Sequence, residues 1–581
     1  MKTNSRIKKL VSYLRPYWRM VSLGIFSLLI VNILSAYIPR IISNSIDQLN
    51  ADFSFAQLSR YGGILLAMAS VMWVIRMLSR IVIFGAGRQV EFDLKQKIFQ
   101  HLLSLESGYF ANNTSGDLIN RATSDVDNVR RLVGFSVLSL VNIIFAYGLT
   151  LPFMLAINVR LTLMAIVIYP LMIITVQLFS GQLRDRQKVV QENLSDLSEL
   201  IQEDMSGIAL IKIYAQEDQE RAAFRRKNQQ LLRSNLRLAL IRNLLFPIVE
   251  GISLISLLIL LWLGTPAIAR GEITVGNFIA LILYVERLVF PTALLGFTIT
   301  AYQRGEVSID RVESILQVQP EIQNASEPIW LSQVKGEITT RNLTYTYPGS
   351  KTPALKNLNF TIMPGETVAI VGAIGSGKST LANIIPRLLD VAPGQVFLDG
   401  YDITQIALAD LRKAIAYVPQ DSFLFSATIK NNIRYGEPLI ETAEIEYAAK
   451  QAQIHPEIVN FPHQYETIVG ERGITLSGGQ RQRTSLARAL LIEAPILILD
   501  DALSSVDNET ATQILNNLSP ERDKRTIIFI SHQLSATATA DRILVMDNGA
   551  IVQSGTHEEL LQYPGVYKAL WEQYQLKEIL N

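Results

Sequence analysis

GAIGSGKST, Gly372–Thr380, directly follows the apolar run Thr367–Val371, and that order decides the fold of the C-terminal half. An apolar strand that feeds a glycine-rich loop, which in turn opens a helix, makes a phosphate cradle. Gly372, Gly375 and Gly377 permit the tight turn in which backbone N–H groups face phosphate, and Ser376 and Thr380 belong to the same loop. Lys378 is placed to neutralise terminal phosphates and Ser379 to put its hydroxyl on Mg2+, so ATP with Mg2+ is the expected ligand pair. A glycine turn that merely happens to contain Lys-Ser would not need the preceding strand. Downstream, ILILDD (Ile496–Asp501) reads as a second apolar strand that ends in two carboxylates. Asp500 fits a direct or water-mediated metal partner, and Asp501 sits where an attacking water could be polarised.

Working outward, the strand and turn pattern continues through EITTRNLTYTY, ALKNLNFTIMPGETVAIVG, IIFISH and RILVMDNGAIV. We expect an α/β P-loop nucleotide-binding domain with a mixed sheet over 336–581, preceded by a linker over 319–335.

The N-terminal half differs. The 581 residues exceed a single hydrophobic core, and although only 18% of them are charged, the C-terminal half reads as an ordinary soluble domain. The excess apolarity therefore lies upstream. Charge-free stretches run over Met20–Pro39, Tyr61–Ile75, Leu132–Val159, Leu161–Leu183, Gly251–Ala269, and Ile273–Val285 with Leu288–Gln303. A spanning helix needs roughly 20 largely apolar residues, and six spans fit. Buried helices of a large soluble protein rarely supply so many. An all-α transmembrane domain of six spans over 19–318 is expected, with two long intracellular helical extensions from Arg88–Arg131 and Arg184–Arg242, and Gly108, Gly116 and Gly207 as break points. The connections on the other side are short.

Lys2, Arg6, Lys8, Lys9, Arg15 and Arg19 precede the first span with no acidic residue, which places both termini in the cytoplasm. Residues 1–18 suit an interfacial elbow helix, and membrane lipids are implied partners. A net charge of +1 gives no signal for nucleic acid. With no cysteine in the chain, disulfides, thiolate catalysis and a fused cysteine peptidase are excluded.

LSGGQ, Leu476–Gln480, followed by RQRTSLARALL, resembles the signature and signature helix of the ATP-binding cassette exporters, in particular half-transporters of the multidrug and lipid-exporter type. The resemblance covers almost the whole chain. It implies that Ser477, Gly478, Gly479 and Gln480 serve the phosphates of a second subunit's site, that Gln420 in AYVPQD senses magnesium, that His532 is the switch histidine, and that Tyr347 stacks on adenine. SSVD, Ser504–Asp507, resembles the loop crossing the dimer interface. TIVGERG (Thr467–Gly473), Tyr109–Val129 and Ile211–Glu217 resemble the coupling segments. The implied location is a bacterial plasma (inner) membrane.

One residue departs from the family pattern. The position after the metal-binding aspartate is usually glutamate, the catalytic base, and here it is Asp501. One methylene less shortens the reach by about 1 Å, a misplacement that costs roughly 100-fold. Hydrolysis at this chain's own site is expected to be impaired while ATP binding persists. A heterodimer with a partner that carries the glutamate is favoured over a homodimer, and an ATP-gated channel or regulatory subunit is the competing class. Arg76, Arg80, Glu250, Glu286 and Arg287 lie within the spans. Such charges face protein or water, either paired to hold the bundle or lining a path for an amphipathic solute, lipid or peptide.

Overall fold

The structure, a computed structural model, describes residues 3–51, 55–470, 473, 475–518, 525–531 and 534–580. His532 falls outside these residues. Two units are present: Met1–Leu103 with Asn113–Val318, and Ser104–Asn112 with Gln319–Asn581.

The first unit is all helical. Among the described residues, six helices are long and apolar enough to cross a membrane: Lys8–Leu49, Phe55–Ser104, Ser115–Ile157, Val159–Ser206, Glu217–Ala269 and Val275–Leu316. Their lengths of 42 to 53 residues correspond to about 60–80 Å, twice the ~30 Å hydrocarbon core, so each continues well beyond a bilayer. Pro152, Pro247 and Pro291 lie inside these helices, where packed neighbours can re-satisfy the freed backbone carbonyls.

The links at one end are tight because polar side chains cap the helices that follow. Asn158 Oδ1 accepts from Leu161 N at 3.0 Å and Thr274 Oγ1 accepts from Asn277 N at 3.0 Å. Asp47 then anchors the start of the sixth helix, accepting from Thr274 Oγ1 at 2.6 Å and Gly276 N at 2.9 Å. A Cβ on Gly276 would lie 2.2 Å from Ser43 O, so only glycine permits this approach.

At the other end the breaks differ in part from expectation. Gly207 does terminate the fourth helix, its N–H bonding Glu203 O at 2.7 Å. Gly108 and Gly116 instead lie within the short helices Ser107–Asn112 and Ser115–Asn120. The second of these is started by Thr114, whose side chain caps Asp117 N, so a capping residue rather than a glycine sets that boundary.

No ion pair joins Arg76 or Arg80 to Glu250 or Glu286 among the described residues, and all four side chains are exposed. Hydroxyl and amide bonds tie the helices together instead. Tyr284 donates to Ala36 O at 2.9 Å, Tyr169 to Val285 O at 2.9 Å and Ser256 to Ala165 O at 2.7 Å. Arg287 Nη2 donates to Asn32 O at 2.9 Å.

Among the described residues, the second unit holds ten strands: β1 (Ile338–Tyr345), β2 (Leu355–Ile362), β3 (Thr367–Gly372), β4 (Val396–Leu398), β5 (Tyr401–Asp402), β6 (Ile415–Val418), β7 (Ile496–Asp500), β8 (Thr526–Ile530), β9 (Arg542–Asp547) and β10 (Ala550–Gly555). They form a four-stranded antiparallel sheet, β2-β1-β4-β5, and a six-stranded mixed sheet, β10-β9-β3-β8-β7-β6, in which only β10 is antiparallel to its neighbour. Strands β3, β7 and β8 are buried at every residue, which is why they read as unbroken apolar runs. Within 319–335, Ile329 already pairs with the domain, its N–H bonding Gln405 O at 2.8 Å and its carbonyl accepting from Ala407 N at 2.9 Å.

Candidate nucleotide-binding site

The parallel register brings the chemistry to one edge of the sheet. β3 ends in Gly372, β7 in Asp500 opposite Ile530 of β8, and β6 leads from Val418 towards Gln420, which is exposed. In open parallel sheets ligands bind outside these carboxyl ends.

The loop after β3 could be built from few other residues. Gly372, Gly375 and Gly377 have φ of 152°, 82° and 100°, a region that side chains rarely tolerate. A Cβ on Gly372 would lie 2.1 Å from Met546 O and one on Gly377 2.8 Å from Ala354 O, so β9 and the segment leading into β2 clamp the loop from outside. Lys378 opens the helix Lys378–Ile384 and donates through Nζ to Gly372 O and Ala373 O, each at 2.9 Å. Burial pulls its ammonium pKa down, against the attraction of Asp501 and Asp500. Ser376 Oγ is buried with no hydrogen-bond partner, a polar atom that a phosphate oxygen would satisfy.

Ser379 Oγ donates to Asp500 Oδ1 at 2.9 Å. Burial raises the Asp500 pKa, with Asp501 adding repulsion, while Ser379, Tyr417 and Lys378 oppose the rise. Two hard oxygen donors, one of them a buried carboxylate, suit Mg2+. Tyr417 was not singled out from the sequence. Its hydroxyl donates to Asn383 Oδ1 at 3.1 Å with Asp500 Oδ2 at 3.4 Å, so β6 helps to orient the Asp500 carboxylate. The available signal was its position three residues before Gln420 on an apolar strand, which alone gives no direction.

Asp501 is 9% exposed and has φ of 51°. Its amide donates to Ile530 O at 3.0 Å and its carbonyl accepts from Ser504 Oγ at 2.9 Å, so both neighbours hold the backbone in this left-handed turn. Aspartate is among the residues enriched in that region, which favours it here on backbone grounds.

Tyr347, 41% exposed, shares a hydrogen bond of 3.1 Å with Thr380 Oγ1 and stands edge-to-face on Tyr345. This leaves its ring beside the loop. Ser477 caps the helix Gly478–Leu490 in a reciprocal capping box with Gln480. A Cβ on Gly479 would lie 2.8 Å from Ser505 O, so this glycine lets the signature pack against the Ser504–Asp507 loop. The structure thus joins Ser379, Lys378, Asp500, Asp501, Tyr347 and Thr380 in one region, and the signature residues in another within the same unit.

Six apolar helices joined to a P-loop domain that carries its own signature helix define a membrane transporter driven by nucleotide. The ABC transporter transmembrane region family matches residues 21–292 and the ABC transporter family matches 355–504. A probable multidrug resistance ABC transporter ATP-binding/permease protein of Bacillus subtilis is 34% identical over 98% of each chain. The multidrug resistance-like ATP-binding protein MdlA of Escherichia coli is 34% identical over 98% of this chain and 96% of its own. An ATP-dependent lipid A-core flippase of Syntrophus aciditrophicus is 33% identical over 98% and 94%. Among solved structures, a bacterial Atm1-family ABC exporter with ATP bound superposes with a TM-score of 0.75 at 25% identity, over 96% of this chain and 98% of that one. The chain belongs to the ATP-binding cassette exporters: an integral membrane half-transporter that couples ATP hydrolysis to transport.

Proposed function

We propose that this chain is the hydrolysis-impaired half of a heterodimeric exporter in a bacterial inner membrane, with both termini cytoplasmic, that moves an amphipathic solute, lipid or peptide. The observation that carries this reading is Asp501 beside an intact Ser379–Asp500 pair. Lys378 binds terminal phosphates once Gly372 O and Ala373 O release it, the loop N–H groups and Ser376 cradle them, and Tyr347 faces the adenine. Ser379, Asp500 and Gln420 would hold Mg2+, which when bound neutralises charge on the transferred phosphoryl oxygens. Asp501 is one methylene short of an attacking water, and His532 is assigned to the terminal phosphate.

Ser477, Gly478, Gly479 and Gln480 complete the partner's site, where a glutamate supplies the base. The names of the multidrug and lipid A-core relatives support an amphipathic cargo. A cavity of about 460 Å³ between the fifth and sixth helices, with Glu250 and Glu286 beside Phe246 and Phe290, supports the same class.

Purified alone, the chain is expected to bind ATP and hydrolyse it poorly, and coexpression with a glutamate-bearing partner restores turnover. Asp501→Glu raises hydrolysis at the chain's own site by roughly 10- to 100-fold if reach is the defect. Ser477→Ala lowers turnover only in the pair. Robust ATPase and transport by the chain alone, with no gain from Asp501→Glu, would identify a homodimer in which aspartate suffices.

A further inference from the structure

The third to sixth helices converge on a cavity of about 420 Å³ that the ATP chemistry does not use. Arg131, Arg184, Arg242 and Arg304 line it, one from each helix, and no carboxylate is in its wall among the described residues. Arg131, Arg184 and Arg304 each border a charge-free stretch, and Arg242 opens another that runs to Val249. Since consecutive spans run in opposite directions, all four lie at the same end of the bundle.

Arg131 alone has a carboxylate partner, Asp127 at 2.7 Å, and Asp127 is shared with Arg130. Arg184, Arg242 and Arg304 form no ion pair with a described residue. Ser180, in the same wall, has a buried Oγ without a partner. All four side chains are exposed, yet they share the wall of one cavity, where like charges repel.

An anion resolves that repulsion, and the planar guanidinium fork matches phosphate oxygens in pairs. Leu183 and Phe297 supply an apolar wall to the same cavity. Phe297 lies seven residues before Arg304 on one helix, about 10 Å towards the membrane interior. We propose that this cavity binds an anionic amphiphile headed by a terminal phosphate monoester, its phosphate among Arg184, Arg242 and Arg304 and its hydrocarbon along Leu183 and Phe297. The proposal is independent of the nucleotide site and is tested without nucleotide.

Binding of dioleoyl phosphatidic acid and dioleoyl phosphatidylcholine to the purified full chain is measured in mixed micelles. Saturable binding of the phosphatidic acid at least tenfold tighter than that of the phosphatidylcholine, and weakening as salt rises, is expected. The double variant Arg184→Ala/Arg242→Ala should lose about fivefold per arginine, and Arg184→Lys/Arg242→Lys should lose less. If the alanine variant does not fold, the lipid comparison and salt series on the unaltered chain still decide. Equal affinity for the two lipids, or undiminished binding by a folded alanine variant, overturns the site. Displacement by inorganic phosphate with matching affinity assigns it to a soluble phosphate and overturns the amphiphile.

Discussion

Gln482 on the signature helix donates through Nε2 to Ser504 Oγ at 2.9 Å, and its Oε1 accepts from Ser505 N at 2.8 Å. Ser504 in turn holds the Asp501 carbonyl, so a single buried amide links the signature helix to the turn that aims the candidate base. Gln482→Leu keeps the volume but leaves the Ser505 N–H without its acceptor, at a cost of about 1–3 kcal/mol. We expect a lower melting temperature and a loss of turnover in the assembled transporter that exceeds any loss of ATP affinity. Unchanged melting and ATPase would show that the link carries no energy.

Tyr347 combines two separable contacts, a hydroxyl bond to Thr380 and a ring beside the phosphate loop. Tyr347→Phe removes the first only and should leave ATP affinity within about twofold, whereas Tyr347→Ala should cost about 1–3 kcal/mol of binding, the worth of an aromatic stack on a base. Equal losses in a fluorescent-ATP titration would assign the residue to loop support instead of adenine stacking.

Asp500 gives a pH dependence whose sign follows from its raised pKa. Between the unfolded carboxylate value near 3.9 and the raised folded value, the folded chain holds more protons than the unfolded one. Its contribution to stability is therefore complete below the unfolded pKa and lost as pH rises through the folded one. At pH 7 without nucleotide, Asp500→Asn should melt above the wild type, with the gap closing towards pH 4. The same variant should lose the stabilisation that Mg2+ with ATP confers. A variant that melts lower at pH 7 would mean that the hydrogen bonds from Ser379 and Tyr417 outweigh the desolvation.

Tyr214 ends the short helix Ile208–Ile213 in the turn before Glu217, and is 69% exposed. A cysteine placed there should resist a membrane-impermeant thiol reagent in intact cells and react after permeabilisation. Labelling from outside would reverse the proposed orientation.

Local chemistry was legible in the sequence. The glycine spacing at 372–377 needs positive φ whatever surrounds it, an apolar run long enough to span a bilayer can do little else, and the LSGGQ signature lies within five consecutive residues. Each of these is fixed by neighbours along the chain. What only the tertiary structure decided are encounters between distant segments: Tyr417 reaching Asp500 on the neighbouring strand, Arg287 bonding Asn32, and four arginines from four helices lining one cavity. The left-handed turn at Asp501 belongs with them, since it is held by Ile530 and Ser504. Sequence spacing fixes which face of an element a residue occupies, but the partner on the opposing element is set by how helices and strands pack, and that packing depends on the whole chain at once.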